Sequence, residues 1–175
     1  TYKIYNNDKF FFINFDYIEN NLLKINSNFF KKKICKIDDL AKSNVISNIG
    51  IFIDRKLALD NMWDENDNII GTEDYDFVIR LMLKVERAIL IKKSTLALVR
   101  LHSGRSVFND TQFKILKRYF YFKKKIFYSK EFINLKLNIK NKILSTQSLY
   151  TSLLLLNCSL RGKSFNFLIK SIRQN

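Results

Sequence analysis

Thr72-Glu73-Asp74-Tyr75-Asp76-Phe77-Val78-Ile79-Arg80-Leu81 is the stretch on which the reading of the fold turns. Glu73, Asp74 and Asp76 place three carboxylates within four residues, as acidic first turns of helices do. Thr72 before them is a suitable N-cap. Phe77, Val78 and Leu81 follow Asp74 at +3, +4 and +7, so Asp74 heads the stripe that faces the core. A carboxylate there is either a structural charge at a helix start or a working group. Asp76 lies four residues before Arg80, the spacing of a helical ion pair. The helix is expected to run from Glu73 to Lys84.

Upstream, Tyr2–Tyr5 and Phe10–Ile13 read as short strands around a turn at Asn6-Asn7-Asp8. Residues 17–30 are ambiguous between helix and strand. Lys31-Lys32-Lys33 reads as a solvated face, and Ile37–Ala41 as a short helix ended by Asn44. Ile49-Gly50-Ile51-Phe52-Ile53 has the length of a buried strand, with Gly50 permitting close backbone approach. Arg55–Asn61 reads as a short helix, and Met62-Trp63-Asp64-Glu65 as a loop. Downstream, Ala88–Ile91 and Leu96–Arg100 read as strands joined by a turn at Lys92-Lys93-Ser94. Leu101-His102-Ser103-Gly104 follows and carries the chain's single histidine. From about Asn109 the pattern is helical, with Phe113, Leu116, Tyr119 and Phe120 on one face and Lys114, Lys117, Arg118 and Lys123 on another. Two more helices are expected at 146–160 and 164–172, split by Arg161-Gly162-Lys163.

Composition bounds the class. With 47% hydrophobic residues in 175, the chain can bury a core and is not a disordered polymer. The longest apolar run, Leu149–Leu156, contains Thr151 and Ser152 and is too short to span a membrane. Cys35 and Cys158 lack metal spacing and read as free thiols. Of the net charge of +15, residues 111–175 hold +13, with 14 Lys and Arg against the lone Glu131. Such a segment calls for an anionic partner.

Taken in order, these segments resemble the C-terminal half of a family 2 glycosyltransferase of the GT-A fold. The resemblance rests on Asn44-Val45-Ile46-Ser47, Ile51-Phe52-Ile53-Asp54-Arg55, Trp63-Asp64-Glu65, Gly71-Thr72-Glu73-Asp74-Tyr75-Asp76 with Arg80, and Val99-Arg100-Leu101-His102 with Ser106. It implies an α/β fold: the acceptor-side half of a mixed sheet with flanking helices over 1–108, followed by a basic helical region over 109–175. It also implies a sugar transfer with inversion from a nucleotide-sugar donor to a glycan or lipid-linked acceptor. Asp74 would be the general base that takes the acceptor hydroxyl's proton. Glu73 would position the acceptor or orient the helix start. Trp63 would stack on an acceptor sugar, with Asp64 beside it. Arg100, Ser103 and Arg105 would contact the donor's phosphates, and His102 would join a divalent metal, Mn²⁺ or Mg²⁺.

The family's nucleotide-binding half, with the Asp-x-Asp that supplies the metal's main carboxylates, has no counterpart here. Asp38-Asp39 lies in the wrong place and starts a short helix, and Asn61-Met62 replaces a glycine pair. The expectation is therefore a truncated transferase that is not active alone. Residues 111–175 are expected to hold it at an anionic membrane surface, peripheral to the inner face of the plasma membrane and cytoplasmic. No nucleic acid is expected, because the segment lacks a recognisable binding motif. Two other classes stay open: a basic binding module without catalysis, and a metal hydrolase built on Glu73, Asp74 and His102, for which the ligands are few.

Overall fold

The computed structural model describes residues 8–19, 22–24, 30–46, 48–100 and 110–174. The fold is mixed α/β, and its five described strands form one mixed sheet. The central strand is β1 (Phe10–Glu19), which runs parallel to β5 (Ala88–Arg100). On its other edge β1 pairs antiparallel with β4 (Ile51–Ile53) at one end and β2 (Leu22–Lys24) at the other. β3 (Ile34–Cys35) closes the order beyond β5. The expected strand Tyr2–Tyr5 lies outside the described residues.

Alternation along β1 sends Phe10, Phe12, Asn14 and Asp16 to the buried face. Asn14 is a polar residue in an apolar layer, and it is satisfied locally. Its Nδ2 donates to the Phe30 carbonyl at 2.9 Å, and its Oδ1 accepts from the Phe30 N–H at 3.1 Å. That reciprocal pair pins residue 30 over the sheet, where its ring meets Phe12 with centroids 5.6 Å apart.

Two strand expectations change. Ile49–Ile53 is not one buried strand: Asn48–Gly50 forms a 3-10 turn, and only Ile51–Ile53 joins the sheet. Phe52 is 53% exposed, because β4 pairs with β1 alone and leaves one face open. The turn expected at Lys92-Lys93-Ser94 does not form either, and β5 is continuous. Leu90 sits opposite Phe12 and Thr95 opposite Asn14, so the extra residues are taken up as an irregularity within a parallel pair.

The helices are α1 (Ile37–Lys42), α2 (Arg55–Leu59), α3 (Glu73–Val85), α4 (Gln112–Tyr128), α5 (Leu137–Asn157) and α6 (Arg161–Gln174). Asp54 caps α2 by accepting from the Leu57 N–H at 3.0 Å. Thr72 stands at the N-cap of α3 but makes no capping bond; the Glu73 carboxylate accepts from the Gly71 N–H instead.

α3 is covered on two sides. Phe77, Val78, Leu81 and Met82 pack with Phe10, Phe12, Ala88 and Leu90 of the sheet. Tyr75 and Ile79 pack with Phe122 and Ile126 of α4 and with Ile139, Ile143 and Leu144 of α5. A third cluster joins α4, α5 and α6 through Ile115, Tyr119, Leu154, Leu155 and Phe167. The boundary expected at 108/109 falls within 101–109, outside the described residues. Across it, α4 and α5 share a core with α3.

The helical region is arranged differently from its sequence pattern. Phe113 and Phe120 are exposed, whereas Ile115, Arg118, Tyr119, Phe122 and Ile126 face inward. Arg118, expected on the face with Lys114, Lys117 and Lys123, is buried and paired with Asp110. The chain breaks at Cys158–Leu160 rather than at Arg161-Gly162-Lys163. Ser159 adopts a left-handed φ of 60° there, and Gly162 lies within the first turn of α6.

Gly50 has the close approach expected of it. A Cβ at this position would run into the Ile13 side chain and lie 3.2 Å from its carbonyl oxygen. Gly50→Ala should therefore cost about 1–3 kcal/mol of overpacking, read as a lower denaturation midpoint with an unchanged m-value.

Candidate functional site

The site is built around one buried charge. Asp76 follows the helix start by one turn, and its carboxylate is fully buried. It cannot stay ionised there without partners. Arg80, one turn further on, supplies the first: its Nε donates to Asp76 Oδ2 at 2.9 Å, as the i,i+4 spacing predicts. The second comes from far along the chain. Lys125 of α4 donates from Nζ to the same Asp76 oxygen at 2.7 Å and to Asp64 Oδ2 at 2.6 Å. Lys125 thereby ties α3, α4 and the loop after α2 to one cation.

Asp64 is held by three partners. Burial alone would raise its pKa. The Lys125 hydrogen bond, the Asn66 N–H, the Lys125 charge and the Tyr121 hydroxyl outweigh that and hold it below the usual carboxylate value. Tyr121 Oη donates to Asp64 Oδ2 at 3.1 Å. Burial, and then the Asp64 charge, push the phenol's pKa upward, so it remains a donor at neutral pH.

Above this floor lies an open cleft of ≈ 540 Å³, within the ~300–1,000 Å³ range of small-molecule sites. Met62, Trp63 and Asp64 line one side; Tyr121, Lys124, Lys125 and Tyr128 of α4 line the other. Arg80, Ser129 and Glu131 complete it. The Trp63 ring lies nearly flat on Phe77, centroids 4.1 Å apart and planes 15° from parallel. Trp63 is 40% exposed, so it offers a flat apolar surface beside hydrogen-bonding groups. Arg80 is itself 93% buried, and its Nη2 has no hydrogen-bond partner among the described residues. The lining thus combines an aromatic platform, carboxylates, and lysine and tyrosine hydrogen-bonding groups. That set is suited to a small polar molecule with one flat apolar face.

The residues singled out in the sequence fall into three groups. Trp63 and Asp64 come together in this cleft. Glu73 and Asp74 lie on the first turn of α3, half-buried, and do not line it. Asp74 Oδ1 accepts from the Tyr75 N–H at 2.7 Å. Asp74 is three residues before Phe77, so it lies on the face of α3 that carries the Trp63 stack, about one turn (~5 Å) away. Arg100 ends β5 and is exposed, away from the cleft lining. His102, Ser103 and Arg105 lie outside the described residues. Among the described residues no group of three His, Cys, Asp or Glu side chains is placed to hold a metal ion.

Tyr121, Lys125 and Tyr128 went unnoticed in the sequence. They recur at +4 and +3, a helical stripe, but their neighbours Lys123 and Lys124 make the segment read as a plain basic face. Only the partner carboxylates, more than 45 residues away, distinguish Lys125.

Comparison of the chain with protein-family models, with curated proteins and with solved structures finds no match.

Two outcomes follow from the ion network. Lys125→Met leaves Asp76 with Arg80 alone and takes away the lysine that pairs with Asp64, and should destabilise the fold by about 3 kcal/mol in urea unfolding at pH 7. Asp64, with its pKa depressed in the fold, contributes stability above its unfolded pKa of ~3.9 and loses it as pH falls through the lower folded value. Asp64→Asn should therefore be less stable than wild type at pH 7. The two melting temperatures should converge as the pH is lowered below about 3.9.

Proposed function

We propose that this chain forms the acceptor-side half of an inverting family 2 glycosyltransferase of GT-A type. In this reading it takes a sugar from a nucleotide-sugar donor to a glycan or lipid-linked acceptor. The observation that carries the reading is the stacking of Trp63 on Phe77. The Trp63-Asp64-Glu65 loop and the Glu73-Asp74 helix start are the two motifs on which the resemblance most depends, and the stack seats the first on the helix that the second begins, one turn beyond Asp74. An acceptor sugar lying on the open Trp63 face would have Asp64, Tyr121 and Lys124 within the same cleft.

The division of labour follows from the chemistry. A sugar hydroxyl is a weak nucleophile and must lose its proton as it attacks the anomeric carbon. A carboxylate in hydrogen-bond reach removes that proton, and attack opposite the leaving nucleotide inverts the centre. Asp74 takes this role. Glu73, bound to the Gly71 N–H, holds the helix start in place. Asp76 is structural: its carboxylate is fully buried and engaged by Arg80 and Lys125. In this reading a divalent ion, Mn²⁺ or Mg²⁺, would neutralise the leaving nucleotide's phosphates, with His102 among its ligands. The main carboxylates for such an ion would belong to the nucleotide-binding half.

The test uses the transferase with its nucleotide-binding half present. Asp74→Asn should lower sugar transfer by roughly 10²–10⁴-fold while nucleotide-sugar binding stays near wild type. Equal loss of both would make Asp74 a structural residue. Trp63 is the sole tryptophan, so its fluorescence reports on the cleft directly. Acceptor oligosaccharide should shift that emission, and Trp63→Ala should raise the acceptor KM more than it lowers kcat.

A further inference from the structure

α5 and α6 form an antiparallel hairpin with a seam of serines. Ser145 Oγ donates to the Ser171 carbonyl at 2.8 Å, and Ser164 Oγ to the Ser152 carbonyl at 2.9 Å. Small side chains at the seam bring the helices close and displace the large ones to the flanks. Leu149, Leu153 and Leu156 then recur along α5 at +4 and +3. Phe165, Leu168 and Ile172 recur along α6 at +3 and +4.

At 100° per residue, each stripe is rotated in the same sense from its own serine seam. In an antiparallel pair, equal rotation carries both stripes to the same side of the hairpin. All six side chains are exposed, from 37% for Leu168 to 70% for Ile172. This is a contiguous apolar face, of the kind soluble surfaces rarely leave open without a partner.

Charge identifies the partner. No aspartate or glutamate occurs in residues 132–175, whereas Arg161, Lys163 and Arg173 of α6 are exposed. Arg161 stands four residues before Phe165, at the head of the α6 stripe. A second copy of this chain would bring cations against cations. A nucleic acid would satisfy the cations but give the aliphatic side chains nothing to pack on. A bilayer with anionic headgroups satisfies both. Among the described residues no helix is long and apolar enough to cross a membrane, so the contact is with the surface.

We propose that the α5–α6 hairpin is a membrane-docking element that lies in the plane of an anionic lipid surface. It inserts Leu149, Leu153, Leu156, Phe165, Leu168 and Ile172 between headgroups that Arg161, at the head of the α6 stripe, and Arg173, at its flank, bind. This assignment is independent of what the Trp63 cleft binds.

The test is co-sedimentation of the full chain with vesicles. Binding to phosphatidylcholine vesicles containing phosphatidylglycerol should exceed binding to phosphatidylcholine alone and should fall with added salt. Leu153→Gln with Leu168→Gln should weaken binding to the anionic vesicles at least ~10-fold, and so should Arg161→Glu with Arg173→Glu. All four positions are exposed, and each variant must keep the wild-type thermal unfolding curve to count. Equal binding to both vesicle types would overturn the proposal, as would undiminished binding by the folded leucine variant. A concentration-dependent dimer that the leucine variant abolishes, with no vesicle binding, would assign the face to self-association instead.

Discussion

A carboxylate with no solvent at all sits inside this protein, and much of the architecture follows from keeping it charged. Asp76 is fully buried, and removing an ion from water costs several kcal/mol even after relaxation. One cation on the same helix does not satisfy it. Arg80 reaches Asp76 Oδ2 through Nε, and Lys125 reaches the same oxygen from α4. Because Lys125 also bonds Asp64, the charge requirement of one residue fixes the loop after α2 and the helix α4 against α3. The apolar clusters on the two sides of α3 provide the driving force for burial, but apolar packing tolerates sliding. The ion network sets the register in which those clusters meet.

That arrangement makes α3 both core and site. Its middle is buried by the sheet on one side and by α4 and α5 on the other, which holds its first turn in place. Glu73 and Asp74 protrude from that rigid element half-buried, and Phe77 serves as the base on which Trp63 lies. Side chains mounted on a helix locked by packing keep their geometry better than side chains on a free loop. The basic region, which in the sequence looks like an appendage, is part of the same construction. α4 provides one wall of the cleft, and α5 and α6 carry an apolar face outward.

The helix at the centre was readable before the fold was known. An acidic first turn, an apolar stripe and an i,i+4 pair gave Glu73–Lys84 against the observed Glu73–Val85, and they gave the Asp76–Arg80 contact. α1 was equally clear. Reading failed where periodicity carried no information about which side would be covered. α4 has aromatic residues all around it, so Phe113 and Phe120 looked like core, although Ile115, Phe122 and Ile126 take that position. α5 begins at Leu137, before its expected start, because serines and a glutamine on its buried faces hide the apolar pattern. In β5, Lys92-Lys93-Ser94 resembled a turn, yet pairing with β1 on either side keeps the strand continuous.

What the sequence determined by itself was local: helix starts, the charge asymmetry and the pairing of residues one turn apart. These depend on spacings of three or four residues, which the chain carries wherever it folds. The tertiary structure alone decided that Asp76, rather than Asp74, is the inward carboxylate with a second cation. It also decided that Trp63 lies on Phe77, that Lys125 closes the floor of the cleft, and that two short stripes on α5 and α6 join into one apolar face. Each of these depends on residues brought together from distant parts of the chain or on the relative rotation of two helices, and no local pattern encodes either.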